Sequence, residues 1–322
     1  MREIRITDIK GIKVGHAQDA AGGTGCTAII CEAGAAAGVD VRGGAPATRE
    51  TDLLRTVNMI ERIHAVVLSG GSAYGLDACS GVMRYLEERG AGFDAGAAVV
   101  PIVCGASLFD LHVGDPKRRP DSAMGYSACE AAGNCEPSEG NVGAGTGATV
   151  GKLYGPGRMM KSGVGIYAVQ ADAVQCAAVV AVNALGDVFD PEAGRWIAGL
   201  LSADGSGPAL TAKAMHDEIE GGRDVFGGNT TIGCIVTNAR LTKTRCSKLA
   251  SVSHNGLARV IRPLHTSADG DAMFVMATGE VAAWADGLGE LAAEVTAKAA
   301  ARAALTAEAA YGLLAARDFA AV

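Results

Sequence analysis

The chain has 322 residues, 49% hydrophobic and 20% charged, which supports a substantial core and excludes a disordered chain. Its formal net charge of −7 argues against nucleic acid or an anionic membrane surface as the main partner. There is no 18-residue apolar run free of charge, the start Met1-Arg2-Glu3-Ile4-Arg5 does not read as a signal peptide, and the nine cysteines include no Cys-x-x-Cys. A cytoplasmic protein with buried, reduced thiols is expected. Aromatics are only 4% against 45 glycines, so Ala-rich helices and Gly-rich turns must carry the packing.

Ile4 to Val14 alternates loosely and ends in Gly15-His16. Thr27 to Cys31 is a short apolar run, and Gly38 to Gly44 alternates apolar and charged residues as a strand with one wet face does. Thr51 to Ile63 has apolar residues near helical spacing. Ala65 to Leu68 is a buried-strand candidate ended by Ser69-Gly70-Gly71-Ser72. A helix is predicted from Ala73 to Arg89, with Leu76, Val82, Met83 and Leu86 inward and Gly90 as its cap. Ala97 to Cys104 reads as a strand that Pro101 confines to an edge or a bulge.

A charged loop covers Asp115 to Pro120, and a short helix Ala123 to Ala132. Gly163 to Gln170 and Val174 to Asn183 form a hairpin across Ala171-Asp172-Ala173. Asp187 to Trp196 is a polar excursion, Pro208 to Ile219 a helix and Glu220 to Asn229 a loop. Thr231 to Asn238 is an apolar, β-branched strand, followed by a helix at Lys243 to Val260 and a strand at Ala272 to Ala277. An Ala-rich helical stretch runs from Leu288 to Leu314, with a break expected near Thr306. No repeat and no long linker is visible. The order of elements lacks the strict strand-helix-strand rhythm of a doubly wound sheet, so a single α/β domain built as a layered αββα sandwich is expected.

Three motifs invite chemistry. Gly143-Ala144-Gly145-Thr146-Gly147-Ala148-Thr149-Val150-Gly151-Lys152 resembles a phosphate loop but has Thr146 where a glycine is required and Leu153 where Ser or Thr is required. No strand precedes it, so the dinucleotide fingerprint fails as well. A loop whose backbone N–H groups and Lys152 line a pocket fits better, against the plain alternative of a solvated turn lysine. His265-Thr266-Ser267-Ala268-Asp269-Gly270-Asp271 has too few ligands for calcium and lacks a helical His pair for zinc. No cofactor and no metal are therefore expected.

The third motif is Gly227-Gly228-Asn229-Thr230-Thr231-Ile232, a loosened loop followed by hydroxyls at the head of a buried strand. Cleavage between Asn229 and Thr230 would give Thr230 both a nucleophilic hydroxyl and a free α-amine, whose ordinary pKa of about 8 suits a general base. Carboxylates at Asp269 and Asp271 could orient that amine. Locally, a turn into a core strand explains the same residues and is the commoner use of such a string.

Beyond single motifs, the chain resembles the self-processing N-terminal-nucleophile peptidases that include the L-aminopeptidase/D-amidase-esterases, the β-aminopeptidases, a pantetheine hydrolase and the nylon-oligomer endo-hydrolases. The resemblance runs nearly end to end. It rests on Val14-Gly15-His16, Val41-Arg42-Gly43-Gly44-Ala45-Pro46, Leu68-Ser69-Gly70-Gly71-Ser72-Ala73-Tyr74-Gly75-Leu76, Gly143 to Ala148, and Gly228-Asn229-Thr230-Thr231-Ile232. It implies an N-terminal-nucleophile-hydrolase-like fold and a precursor cut into an α fragment, residues 1–229, and a β fragment, residues 230–322. It further implies a homo-oligomer of αβ heterodimers acting on small-molecule amides or peptides.

By position the resemblance makes Thr230 the nucleophile, Asn183 an oxyanion or amine-positioning donor, Lys152 the lysine beside the nucleophile, and Asp269 and Asp271 the orienting carboxylates. In Ala106-Ser107-Leu108-Phe109-Asp110, Leu108 stands where the nylon-oligomer branch has a tyrosine. That departure alters the expected substrate pocket. Two other classes remain open at this point: an uncut small-molecule-binding protein on the same scaffold, and an ornithine-acetyltransferase-like acyl transferase.

Overall fold

The computed structural model describes residues 1–133, 135–221 and 228–319. The chain forms β1 (Lys13–Asp19), β2 (Thr24–Val41), β3 (Arg62–Ser69), α1 (Ala78–Glu87), β4 (Val103–Ser107) and α2 (Ser122–Ala131). It continues with β5 (Val164–Ala171), β6 (Val174–Asn183), α3 (Thr211–Asp217), β7 (Thr230–Ala239), α4 (Lys243–Val260), β8 (Ala272–Val281) and α5 (Ala285–Leu305). The principal strands lie in the order β5-β6-β7-β8-β2-β3-β4, with Arg2–Glu3 and Thr48–Arg49 as short edges and β1 also paired to β2.

The 18-residue strand β2 makes this one sheet into two layers. Its first half pairs with β1 and β3, and its second half with β8. The register shifts between Ile30 and Ala35, where Gly34 takes φ +76°, and the strand bends there. Strand alternation then fills three cores. Ile29, Leu68, Val179, Ile232 and Phe274 meet between the two half-sheets. Val180, Ile235 and Val275 face α4 and α5, while Ala28, Val67 and Val103 face α1 and α2. Helices thus cover both outer faces, and the expected αββα sandwich is the observed fold.

The Ala-rich composition has a structural reason. In α5, Ala292, Ala299, Ala300 and Ala303 are fully buried, and the helix lies so close to β5 that a Cβ on Gly165 would come within 2.1 Å of the Ala299 carbonyl oxygen. Small side chains allow that approach, and dispersion contacts replace aromatic bulk. Thr306 closes the helix by returning its hydroxyl to Arg302 O at 2.7 Å, at the expected break. The hairpin turns at Asp172, φ +51°, as read from the sequence. Helix α4 has the expected bounds and is capped by Thr242, whose hydroxyl accepts the Arg245 N–H.

Three expectations change. Thr27–Cys31 and Gly38–Gly44 are not separate strands, because β2 spans the first and runs on to Val41 in the second. Thr51 to Ile63 forms a short 3-10 turn at Asp52–Leu54 and the start of β3; Leu54 and Ile63 enter the core, while Val57 and Met59 between them are 83% and 77% exposed. Pro101 ends the strand candidate Ala97–Cys104 early, separating the pair Val99–Val100 from β4. The predicted loop Glu220–Asn229 lies partly outside the described residues. All nine cysteines are free, and among the described residues no helix is long and apolar enough to cross a membrane.

Candidate active site

Strand pairing brings the site together. In the antiparallel pair β6–β7, Asn183 is the register partner of Thr230, so the last residue of one strand faces the first of the next. On the other side β8 runs parallel to β7, and the turn before it, 266–271, lies against Gly228 to Thr231. The three ends meet at a cleft of about 610 Å³, lined by Thr230 and Asn229 and walled by Ala45, Phe109, Leu185 and Met215.

Thr230 is 4% exposed, and its hydroxyl donates to the carbonyl oxygen of Asn229. The same oxygen accepts the Gly270 N–H at 2.8 Å. A side-chain hydroxyl and a backbone N–H therefore converge on one peptide carbonyl oxygen. A Cβ on Gly270 would lie 2.9 Å from Thr230 Oγ1 and 2.9 Å from Ala45 O, which explains a glycine at this position.

Lys152 and Asn183 sit behind this carbonyl. Lys152 Nζ donates to Asn183 Oδ1 at 2.6 Å, Asn183 O at 3.0 Å and Gly228 O at 3.3 Å. Asn183 Oδ1 also accepts the Thr149 N–H at 3.0 Å, and Asn183 Nδ2 donates to Phe109 O at 2.9 Å and to Gly228 O at 3.5 Å. Burial lowers the Lys152 pKa to about 7, with the Asp110 and Asp269 carboxylates offsetting part of the desolvation. Lys152 was expected to line the pocket. It lies instead in the layer beneath, absent from the cleft wall, because the strand-end carbonyls draw its ammonium inward.

The carboxylates hold backbone. Asp271 Oδ1 accepts the Thr231 N–H at 2.6 Å, and Oδ2 accepts the His265 N–H at 3.1 Å and pairs with His265 Nδ1 at 2.8 Å. Asp269 Oδ2 accepts the Thr266 N–H at 2.6 Å. Burial, and then repulsion from Asp271, raises the pKa of Asp269. Thus Asp271 grips the residue after Thr230 and holds the head of β7 in place. Among the described residues no group of His, Cys, Asp or Glu could hold a metal ion.

Leu108 is a correction. It is fully buried between the half-sheets, since the alternation that turns Cys104 and Ala106 inward turns Leu108 inward too. Its neighbours Ser107 and Phe109 line the cleft. Sequence reading also missed Asp110, which is 3% exposed and accepts the Thr24 hydroxyl at 2.6 Å and the Gly71 N–H at 2.7 Å. A Cβ on Gly70 would fall 2.0 Å from its Oδ2, and one on Gly147 2.7 Å from its Cβ. Two glycine motifs that read as loops wrap this one carboxylate. Lys161 was missed as well; it is wholly buried beneath the 143–148 loop and donates to Gly145 O at 2.9 Å, Ala148 O at 3.0 Å and Ser162 O.

The Arg42-Gly43-Gly44-Ala45 motif acquires a function here. A Cβ on Gly43 would meet Asp269 O at 2.3 Å, and one on Gly44 would meet Ser267 O at 2.6 Å. Their absence lets the loop run against the 267–271 backbone, where Ala45 N–H donates to Asp269 O at 2.8 Å.

Comparison with known proteins gives the family and the fold. The model of peptidase family S58 matches residues 5–317. An uncharacterized aminopeptidase of Mycobacterium tuberculosis is 44% identical over 291 residues, covering 86% of this chain and 82% of that one. A 6-aminohexanoate-oligomer endohydrolase of Paenarthrobacter ureafaciens is 33% identical over 285 residues, covering 87% and 76%. The L-aminopeptidase D-Ala-esterase/amidase of Ochrobactrum anthropi, described as a variant of the Ntn hydrolase fold, superposes with a TM-score of 0.69 at 17% identity, covering 94% of this chain and 86% of that one. A Burkholderia β-aminopeptidase gives 0.67 at 19% over the same shares. The chain belongs to peptidase family S58, and its activity is the hydrolysis of amide bonds.

Proposed function

We propose that this member of peptidase family S58 is a self-processing N-terminal-threonine amide hydrolase, with Thr230 as nucleophile and Asn229–Thr230 as the bond it cuts in itself. The observation that carries the reading is the convergence of the Thr230 hydroxyl and the Gly270 N–H on the Asn229 carbonyl oxygen.

In the precursor, Thr230 Oγ attacks the Asn229 carbonyl carbon while Gly270 N–H holds the oxyanion. The C–N bond breaks, Thr230 gains a free amine, and water resolves the ester to leave an Asn229 carboxylate. In the cut enzyme that amine takes the hydroxyl proton as Thr230 Oγ attacks a substrate amide, then passes it to the leaving amine. Water hydrolyses the acyl-enzyme. Lys152 and Asn183 supply positive charge and N–H donors on the acyl side, and Asp271 and Asp269 hold the Thr230–Thr231 backbone and the turn beside it. Removing one oxyanion donor of this kind typically costs about 3 kcal/mol of transition-state stabilisation.

The substrates are small amides, peptides or ω-amino-acid oligomers, in keeping with relatives named aminopeptidase and 6-aminohexanoate-oligomer endohydrolase. The working unit is a homo-oligomer of αβ heterodimers, with no cofactor. Intact mass tests the reading. Two fragments of about 23 and about 9 kDa from the 32.4 kDa chain, the smaller beginning at Thr230, are expected. Thr230→Ala stays whole and inactive. A Thr230→Ala protein that still hydrolyses amides overturns the assignment; acyl transfer to an added amine in preference to water would make the chain a transferase.

A further inference from the structure

We propose that Ser72 is a substrate-binding residue that sets specificity: its hydroxyl accepts a hydrogen bond from an amino nitrogen carried on the acyl part of the amide substrate. This rests on the reading of Thr230 as nucleophile, which makes the cleft that Ser72 shares with Thr230 the place where substrate is held.

Ser72 ends the Ser69-Gly70-Gly71-Ser72 turn after β3 and opens the 3-10 stretch Ser72–Asp77. Its φ is +56°, a conformation that glycine enters freely and a residue with a Cβ does not. Six non-glycine residues among those described have a positive φ, and Ser72 is the one that lines the cleft. Three successive N–H groups hold the turn: Gly70 N–H donates to Gly25 O at 2.8 Å, Gly71 N–H to Asp110 Oδ1 at 2.7 Å and Ser72 N–H to Leu108 O at 2.9 Å. Glycine would meet the same backbone demands without the steric cost. A strained residue so firmly held in a cleft wall therefore points to a use for its side chain.

The composition of the wall selects the chemistry. No side chain lining the cleft among the described residues is charged, so an amine entering it is met by neutral oxygens. Of the hydroxyls there, that of Ser107 is closed off in the interior, that of Thr266 accepts the Ala268 N–H at 3.4 Å, and that of Thr230 is reserved for the attack. Ser267 is exposed. Ser72 is half-buried, and its hydroxyl has no partner among the described residues. Peptides and ω-amino-acid oligomers both carry an amino nitrogen on the acyl side of the cut amide, and that nitrogen supplies the donor this oxygen lacks.

The test compares wild type, Ser72→Ala and Ser72→Gly, each purified as the two-fragment enzyme, on p-nitroanilides of alanine, 6-aminohexanoic acid and propionic acid. In both variants KM for the preferred amino substrate is expected to rise about tenfold with kcat within about twofold, the loss of one hydrogen bond to a charged donor. The propionic p-nitroanilide has no amino group and should show no such rise. Ser72→Gly should hold its Tm, since relief of the strained φ offsets a freer unfolded chain. A serine kept only for structure would instead lower Tm and leave KM in place. An unchanged KM, an equal loss on the propionic substrate, or a wild type that cuts neither amino substrate faster than the propionic one overturns the proposal and leaves the nucleophile reading standing. A variant that stays whole where the wild type is cut also overturns it, by assigning Ser72 to the scission. A wild-type chain that remains whole on intact-mass analysis overturns the nucleophile reading, and this proposal with it.

Discussion

Lys152 and Asn183 are locked to each other: the ammonium donates to the amide oxygen at 2.6 Å and to the main-chain oxygen of the same residue at 3.0 Å. With its oxygen so held, Asn183 must turn its NH₂ group toward Phe109 O and Gly228 O. The lysine therefore sets which face of the amide is presented to the acyl side of the cleft.

Lys152→Met tests that dependence. The substitution takes the ammonium from three oxygen acceptors and costs stability, so the Tm is measured beside activity to separate misfolding from lost catalysis. The variant's kcat/KM should fall about 100-fold or more, the range seen when a preorganised donor is lost. Wild-type-like activity with intact self-cleavage would show that Asn183 is oriented by Thr149 N–H and Phe109 O alone.

Gly270→Ala is expected to slow the appearance of the two fragments by at least about tenfold, since displacements of about 1 Å at a reacting centre have effects of this size or greater. The added Cβ would sit 2.9 Å from the Thr230 hydroxyl and from Ala45 O, tighter than side chains tolerate without movement. The time course of fragments on a denaturing gel reads this directly, and a Tm near that of the wild type separates it from misfolding.

Stability should respond to pH through the buried lysines. Burial lowers both Lys152 and Lys161 to about 7 from an ordinary 10.5. Between those values the unfolded chain binds more protons than the folded one, so stability rises with pH. The penalty for the buried charge is complete below about pH 7 and fades as pH climbs toward 10.5. For Lys161→Met, the change in urea midpoint relative to wild type should shift in the wild type's favour from pH 6 to pH 9. A difference independent of pH would mean that Lys161 keeps its proton throughout, with its three carbonyl acceptors outweighing desolvation.

The parts of this molecule that obey one local rule were legible in the sequence. The Thr231–Asn238 strand, the Lys243–Val260 helix and the Asp172 hairpin each announce themselves by periodicity, a cap or a turn residue within a few positions. The motifs and the family resemblance named Thr230, Asn229, Asn183, Lys152, Asp269 and Asp271, and the structure brings these residues together around the head of β7. Asp110, Lys161 and Gly270 were not legible, because each gains its meaning from segments distant in sequence. Asp110 is an ordinary carboxylate until Gly70, Gly71 and Gly147 close over it. The near-helical spacing at Thr51–Ile63 misled for the converse reason: apolar spacing specifies a helix only when one continuous face is covered, and here Leu54 and Ile63 are buried while Val57 and Met59 face water.

The order of the strands constrains the life history of the protein. Residues from Thr230 onward contribute β7 and β8, and these lie between β6 and β2, which both come from residues before Asn229. A chain divided at Asn229–Thr230 would be interlocked rather than merely associated, because neither piece can leave without opening the sheet along two seams. On the proposed reading, folding comes first and scission second. Once melted, the two pieces would face a bimolecular search for a pairing that the continuous chain reached by simple connection. The processed enzyme would then hold its form through a slow exit from the native state, and its durability would be measured as a half-life rather than as a reversible midpoint.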